Sequence, residues 1–425
     1  MASEKSLLRA FLGTASLQLI GRGLAVITGV IFARVLGPEE FGRYSFVISI
    51  IALLVLPAIA GIPQLIVRET SRYRVDQEYH LLLGMWKWAT RYSLIICMGS
   101  MFVALALIWL DYWPESISHL MLIGIVLIPF KGILSRLGAS INGLQRPELA
   151  QLPMVILAPL IVLVAIAISY VNNVQITPSL LLKLQILTHV VAVVLSIFLL
   201  NWLVNQLNIK GKPSYAKREW QSSLLPFTIL TVVGTMNNEL ATVFLGFLGS
   251  EEAIGYFKVA MQGITLLALG LQAVNTVSGP RIAGMYKQGK VDQTQVLLKQ
   301  SVKLSVLSSV PFAIVLIFFG ELLIKFLFGE AYLPAAELLT ILCIGQIINV
   351  CMGSVGLVLN MTGNEKRTLR AQFITLILTV ILLGALIPMF QAVGAAIAVS
   401  LGLVCWNVIM AFDVYRLTGL KTWIH

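Results

Sequence analysis

The stretch from Gly21 to Tyr44 reads GRGLAVITGVIFARVLGPEEFGRY. It places one arginine inside an apolar run, adds a short Leu-Gly-Pro-Glu-Glu turn, and opens a second apolar run. Much of that turn returns as Leu248-Gly249-Ser250-Glu251-Glu252-Ala253-Ile254-Gly255-Tyr256, so that Leu36 matches Leu248 and Tyr44 matches Tyr256. The shift, 248 − 36 = 212, is half of a chain of 425 residues. A hairpin that returns at the midpoint predicts a membrane domain present twice, with binding sites between its halves.

Composition agrees. Hydrophobic residues make up 58% of the chain and charged residues 12%, with a mean hydropathy of +0.91. Soluble domains carry about 25% charged residues, so a soluble globule is excluded. Apolar runs long enough to cross a bilayer predict an all-α polytopic membrane protein of about twelve spans. They fall near 8–33, 42–66, 89–110, 117–139, 151–171, 178–203, 222–247, 254–278, 300–319, 334–359, 370–389 and 392–415. The start MASEKSLLRAFLG has the basic head of a signal peptide, but the apolar run continues past Arg22 without a good cleavage site, which predicts an uncleaved first span.

Net charge is +11, yet the cations sit in alternate loops and do not form one binding face, which argues for positive-inside topology and against nucleic acid. Lys5 and Arg9, the segment from Arg68 to Arg91, the linker with Lys210, Lys212, Lys217 and Arg218, the segment from Arg281 to Lys299, the turn at Lys366 to Arg370, and Arg416 with Lys421 are basic. Glu39, Glu40, Asp111, Glu115, Glu251, Glu252 and Glu330 mark the intervening loops. Both termini are therefore expected in the cytoplasm. The four cysteines lie in apolar segments, where a disulfide framework or metal site is not expected, and no cofactor is expected either.

The repeat extends beyond the hairpin. Val75-Asp76-Gln77 recurs as Val291-Asp292-Gln293, Tyr112-Trp113-Pro114 as Tyr332-Leu333-Pro334, and Asn142 pairs with Asn360. Each half has an even number of spans, so the halves enter the membrane the same way round. The expected domains are a six-helix bundle over 1–203, a cytoplasmic linker over 204–221, and a second, parallel-related bundle over 222–425.

Ionisable residues inside a bilayer cost about 2.5–3.5 kcal/mol, so each raises a functional hypothesis. Arg22 lies roughly fifteen residues, or about 22 Å, into span 1, beyond the middle of the core. It could snorkel, but its flanking glycines and the interface anchor Arg34 favour a cavity. Lys131 in span 4 is open between cavity and interface, while Lys183 reads as a snorkelling residue. Gln185 and His189 share one helix face. Glu239 in span 7 follows Asn237 and Asn238, and ion coupling or gating competes with a structural ion pair. Gln272 and Asn275 in span 8 and Asn349 in span 10 offer hydrogen bonds, for helix adhesion or for a cavity wall. A cationic cavity attracts an anion, and amides suit a sugar.

The run FARVLGPEEFGRYSF, then GIPQLIVRETSR with Arg68 and Glu69 ending span 2, resembles polysaccharide flippases of the multidrug/oligosaccharidyl-lipid/polysaccharide exporter superfamily. LGSEEAIGYFKVA and NMTGNEK look like their second-half counterparts. The resemblance implies a flippase, not an enzyme, that moves undecaprenyl-diphosphate-linked oligosaccharides from the cytoplasmic to the periplasmic leaflet of a bacterial or archaeal membrane. It implies polysaccharide polymerase and chain-length machinery as further partners. Arg22 matches a cavity arginine of lipid II flippases, and Glu239 sits where polysaccharide flippases often carry an aspartate. Taken with the intramembrane polar residues, the expected site is a central cavity of Arg22, Lys131, Asn238, Gln272, Asn275 and Asn349, with Glu239 for coupling and Arg68 and Glu69 at a cytoplasmic gate. The rivals are a multidrug or cation antiporter of the same superfamily, which would want acids deep in spans 1 to 6, and a membrane glycosyltransferase or polymerase, which would want a sizeable outer loop.

Overall fold

The computed structural model describes residues 2–110 and 113–424, with side chains from residue 16 onward except those of 223, 225, 226, 230, 266 and 273. Asp111 and Tyr112, read above as a loop acid and a repeat marker, lie outside the described residues, as do the side chains of Lys5 and Arg9. Among the described residues there is no strand. Ten helices among the described residues are long and apolar enough to cross a membrane. The first, Ser16–Val75, is broken at Gly37 and gives spans 1 and 2. Spans 3 to 6 are Tyr79–Trp109, Glu115–Gly143, Pro147–Val171 and Pro178–Gln206. Spans 7 to 10 are Phe227–Leu248, Glu251–Lys287, Val291–Phe318 and Ala335–Met361. The last helix, Glu365–Thr418, is broken at Gln391 and supplies spans 11 and 12. This is an integral membrane protein with the expected all-α architecture.

The break at Gly37 has φ 78° and ψ 171°, a backbone state that glycine reaches without Cβ strain, and Pro38 follows with a ring suited to starting the next helix. Left-handed residues also mark the repeat. Gln77 and Gly289 (289 − 77 = 212), Gln145 and Gly363 (218), and Asn173 and Gln391 (218) occupy corresponding turns of the two halves. The match of Val75-Asp76-Gln77 with Val291-Asp292-Gln293 is therefore not structural. Val75 ends one helix whereas Val291 begins another.

The chain forms two compact units, Met1–Leu36 with Val47–Thr235, and Gly37–Phe46 with Met236–His425. The first has a core around Tyr73, Trp86, Trp88 and Trp220. The Trp220 indole donates to the Tyr73 hydroxyl at 2.9 Å, and the Trp86 indole to Thr70 Oγ1 at 3.0 Å. Burying a tryptophan removes about 200 Å² from water, worth about 5 kcal/mol. Ile209 is also buried, and Ser214 N–H donates to the His80 carbonyl at 2.9 Å, so residues 209–220 lie packed on this unit.

In the second unit the opening hairpin meets its own repeat. A Cβ on Gly42 would collide with the Glu251 carbonyl, and one on Gly255 with the Pro38 carbonyl, so only glycines allow the two backbones to touch. Arg43 ties the contact by donating to Glu39, to Glu40 at 2.7 Å and to Glu251. Phe46 and Phe247 pack edge to face beside it at 5.9 Å.

Candidate functional site

Span 5 is the element that shapes the site. Within it, Leu152–Leu157 is a π-helix, closed by a bond from Ala158 N–H to the Pro153 carbonyl five residues back. Pro153 and Pro159 have no N–H to continue the α-helical ladder, and Pro159 leaves the Val155 carbonyl without its usual donor four residues on. Single π-turns inside α-helices recur at functional sites.

On one side of this turn, a cleft of about 460 Å³ is lined by Gln18, Gly21, Arg22 and Ala25 of span 1 and by Gln151, Met154, Val155 and Pro159 of span 5. Gln18, Arg22 and Ala25 are spaced four and three apart and share one face. A Cβ on Gly21 would strike Val155, so glycine there brings span 1 against the π-turn and seats Arg22 beside it. On the other side, a cleft of about 470 Å³ opens among spans 2, 4, 5 and 6. Lys131, Ser135, Gly138 and Asn142 form one stripe of span 4 along it, at helical intervals of four, three and four. Gln151, Met154 and Val155 line both clefts, so Arg22 and Lys131 stand on either side of one turn of helix. Among the described residues, no aspartate or glutamate lines either cleft.

His189 of span 6 closes the second cleft. It is 6% exposed, and its Nδ1 lies 2.7 Å from the Gln185 carbonyl, which can only accept. Nδ1 therefore carries the proton, and Nε2 has no hydrogen-bond partner. Lys183 is exposed.

At the end of span 2, Glu69 is 3% exposed and is clasped by Arg68 at 2.8 Å and Arg72 at 3.1 Å. Arg68 lies over the Phe227 ring, 5.5 Å from its centroid. The pair thereby joins span 2 to the start of span 7 within the first unit.

The remaining predicted residues belong to the second unit. Glu239 pairs with Lys258 of span 8 at 3.4 Å. Asn349 Oδ1 accepts from the buried Asn407 Nδ2 of span 12 at 2.9 Å. Asn275 Oδ1 accepts from Ser354, which follows a break in span 10 at Gly353. Asn275 and Asn349 thus bond helix to helix, whereas Asn238 and Gln272 are exposed.

Sequence reasoning missed Gln18 and Gln151, although Gln18 shares the helix face of Arg22. It also missed Lys258, a lysine seven residues past Glu251 in an apolar run. A third omission is Asp413 of span 12, which is 4% exposed and 3.6 Å from Arg370.

Comparison with known proteins places this geometry. The fold is that of an inward-closed lipid II flippase MurJ, with a TM-score of 0.71 and 16% identity over 94% of this chain and 87% of that one. It is equally that of an inward-facing multidrug resistance MATE family transporter of the MOP superfamily, with a TM-score of 0.74 and 14% identity over 96% and 98%. In sequence, the capsular polysaccharide biosynthesis protein CapF of Staphylococcus aureus is 23% identical over 42% of this chain and 45% of its own length. The probable low-salt glycan biosynthesis flippase Agl15 of Haloferax volcanii is 21% identical over 49% of this chain and 45% of its own. The matches thus cover less than half the length of these curated relatives. The MatE family model matches residues 224–386. The polysaccharide biosynthesis protein model matches residues 7–286, about two thirds of the chain, and the chain belongs to that family.

Proposed function

We propose that this protein is a flippase that carries a lipid-diphosphate-linked oligosaccharide, such as an undecaprenyl diphosphate conjugate, from the cytoplasmic to the periplasmic leaflet by alternating access. One observation carries the reading. Arg22 and Lys131 line adjoining clefts to which no carboxylate contributes among the described residues. In a low-dielectric setting such a surface attracts an anion, and the planar guanidinium of Arg22 matches phosphate bidentately. Gln18 and Gln151 flank it with amides that suit phosphate or sugar oxygens. The names of CapF and Agl15 support the same substrate class. Moving two negative charges outward through an inside-negative potential of 100 mV releases about 4–5 kcal/mol, so a membrane potential can drive the step. Both termini are then cytoplasmic, and a polysaccharide polymerase with its chain-length machinery takes the product.

Multidrug or cation antiport is the second reading, favoured by the MatE match and by an intramembrane carboxylate at Glu239. Arg22 and Lys131 oppose it, because an organic cation is repelled by both. Proteoliposomes that hold a fluorescent polyprenyl-diphosphate disaccharide separate the two. Arg22→Ala is expected to abolish flipping at normal protein levels, and Arg22→Lys to retain part of it. Normal flipping by Arg22→Ala removes the diphosphate from this cleft. Gradient-driven ethidium transport without lipid flipping would establish the antiporter.

A further inference from the structure

We infer that residues 419–424, which follow span 12, are a strap that holds span 10 in its broken form, and that span 10 closes into a continuous helix when the strap lifts. The switch decides whether Asn275 of span 8 is held by Ser354 or set free, and it does not depend on which solute is carried.

The strap is gripped by its backbone. Span 12 ends at Thr418, and Gly419, at φ 70°, turns the chain out of the helix. The Gln295 side chain of span 9 then clamps Lys421 twice: its Oε1 accepts from the Lys421 N–H at 2.8 Å, and its Nε2 donates to the Lys421 carbonyl at 2.8 Å. Three residues on, the Ile424 N–H donates to the Cys351 carbonyl of span 10 at 2.9 Å. Leu420 and Thr422 are buried, Leu420 in a core with Ile282, Leu298, Val358 and Val414 of spans 8, 9, 10 and 12. Main-chain bonds with alternate side chains in pockets are how extended peptides dock on proteins.

The seat is the break itself. Gly353 has φ 73° and ψ −153°, a state for glycine, and a Cβ there would collide with the Thr422 carbonyl and with Val302. In a continuous helix the Cys351 carbonyl accepts from the Val355 N–H, four residues on. Here that N–H bonds the Gly353 carbonyl at 3.0 Å, and Ile424 takes its place on Cys351. The Cys351 carbonyl thus has one donor with the strap seated and another with the helix closed. A buried carbonyl left without either is costly, so lifting and closing go together. The break also aims Ser354, which has φ −86° and ψ 47° and whose hydroxyl donates to Asn275 Oδ1. Helical dihedrals at Ser354 re-aim that hydroxyl and release Asn275.

The test uses the purified full chain. The Lys421 side chain is exposed while its backbone is clamped, so the rate of trypsin cleavage after Lys421 reports the lifted fraction. Gln295→Ala should raise that rate roughly thirtyfold, for two lost hydrogen bonds. Gln293→Ala, exposed two residues earlier, should leave it unchanged. Ser354→Ala touches none of the strap's hydrogen bonds but removes one made only in the broken form, so by reciprocity it should raise the rate roughly fivefold. Hydrogen exchange read by mass spectrometry should move in opposite directions in Gln295→Ala, faster at Lys421 and Ile424 and slower at Val355, which joins the helix. Were Gln295→Ala to unfold, Gln295→Glu, which keeps the bond to the Lys421 N–H, carries the same test with a rise of roughly fivefold. Cleavage that ignores both Gln295 variants overturns the strap. Cleavage that ignores Ser354→Ala, or faster exchange at Val355 in folded Gln295→Ala, overturns its link to the break.

Discussion

Glu239→Gln leaves Lys258 facing a neutral amide between spans 7 and 8. Two unit charges 3.4 Å apart attract by about 5 kcal/mol at an effective dielectric near 20. Each side chain is about a quarter exposed, 23% for Glu239 and 24% for Lys258, so screening lowers the expected loss to roughly 2–3 kcal/mol. At about 2–4 °C per kcal/mol, the unfolding midpoint should fall by roughly 5–10 °C. Lys258→Met should cost a similar amount. The double variant Glu239→Gln/Lys258→Met should recover most of it, because no charge is then left unpaired, and the coupling in the cycle should be about 2 kcal/mol. Stability is read by tryptophan fluorescence on heating, and flipping of the diphosphate lipid is measured on the same preparations. A structural pair requires the double variant to regain both stability and flipping. A coupling carboxylate requires it to regain stability while flipping stays lost. Single effects that simply add would refute the argument, since they would mean that the two charges do not sense each other.

Two further predictions separate close approach from open space and test the membrane orientation. Gly42→Ala should destabilise the protein by about 1–3 kcal/mol, because its methyl meets the Glu251 backbone, whereas Gly23→Ala, with nothing within 4 Å, should be neutral or stabilise span 1 by up to about 1 kcal/mol; equal unfolding midpoints for the two would refute the hairpin contact. Single cysteines introduced as Ser116→Cys and Ser250→Cys should label from the periplasm and one introduced as Lys212→Cys only from the cytoplasm, all three sites being exposed. Periplasmic labelling of Lys212→Cys would invert the proposed orientation.

What the amino-acid sequence determined by itself was the part of the protein that local chemistry decides. Bilayer thickness sets the length of an apolar run, and charge cannot stay in hydrocarbon without a reason, so twelve spans and the cavity candidates Arg22 and Lys131 could be read from residues close together in the chain. The hairpin at Leu36 to Tyr44 and its copy at Leu248 to Tyr256 were legible as a repeat. The three-residue match at Val75 misled, because so short an identity does not report where helices end.

Only the tertiary structure decided which faces meet. A soluble helix announces its buried side by an apolar stripe, but a membrane span packs against lipid on one side and protein on the other, and both are apolar. The sequence around Lys258 therefore gave no sign that it turns to Glu239, nor did span 6 show that His189 would be buried with Nε2 unpaired. The π-turn of span 5 between Arg22 and Lys131 depends on how the backbone groups freed by Pro153 and Pro159 settle against span 1 at Gly21. Likewise, the packing of Gly37–Phe46 with the second unit and of the start of span 7 with the first follows from contacts between segments far apart in the chain, such as Arg43 with Glu251 and Tyr73 with Trp220. Such pairings are chosen by the shape of the packed helices, and a single sequence carries no local record of them.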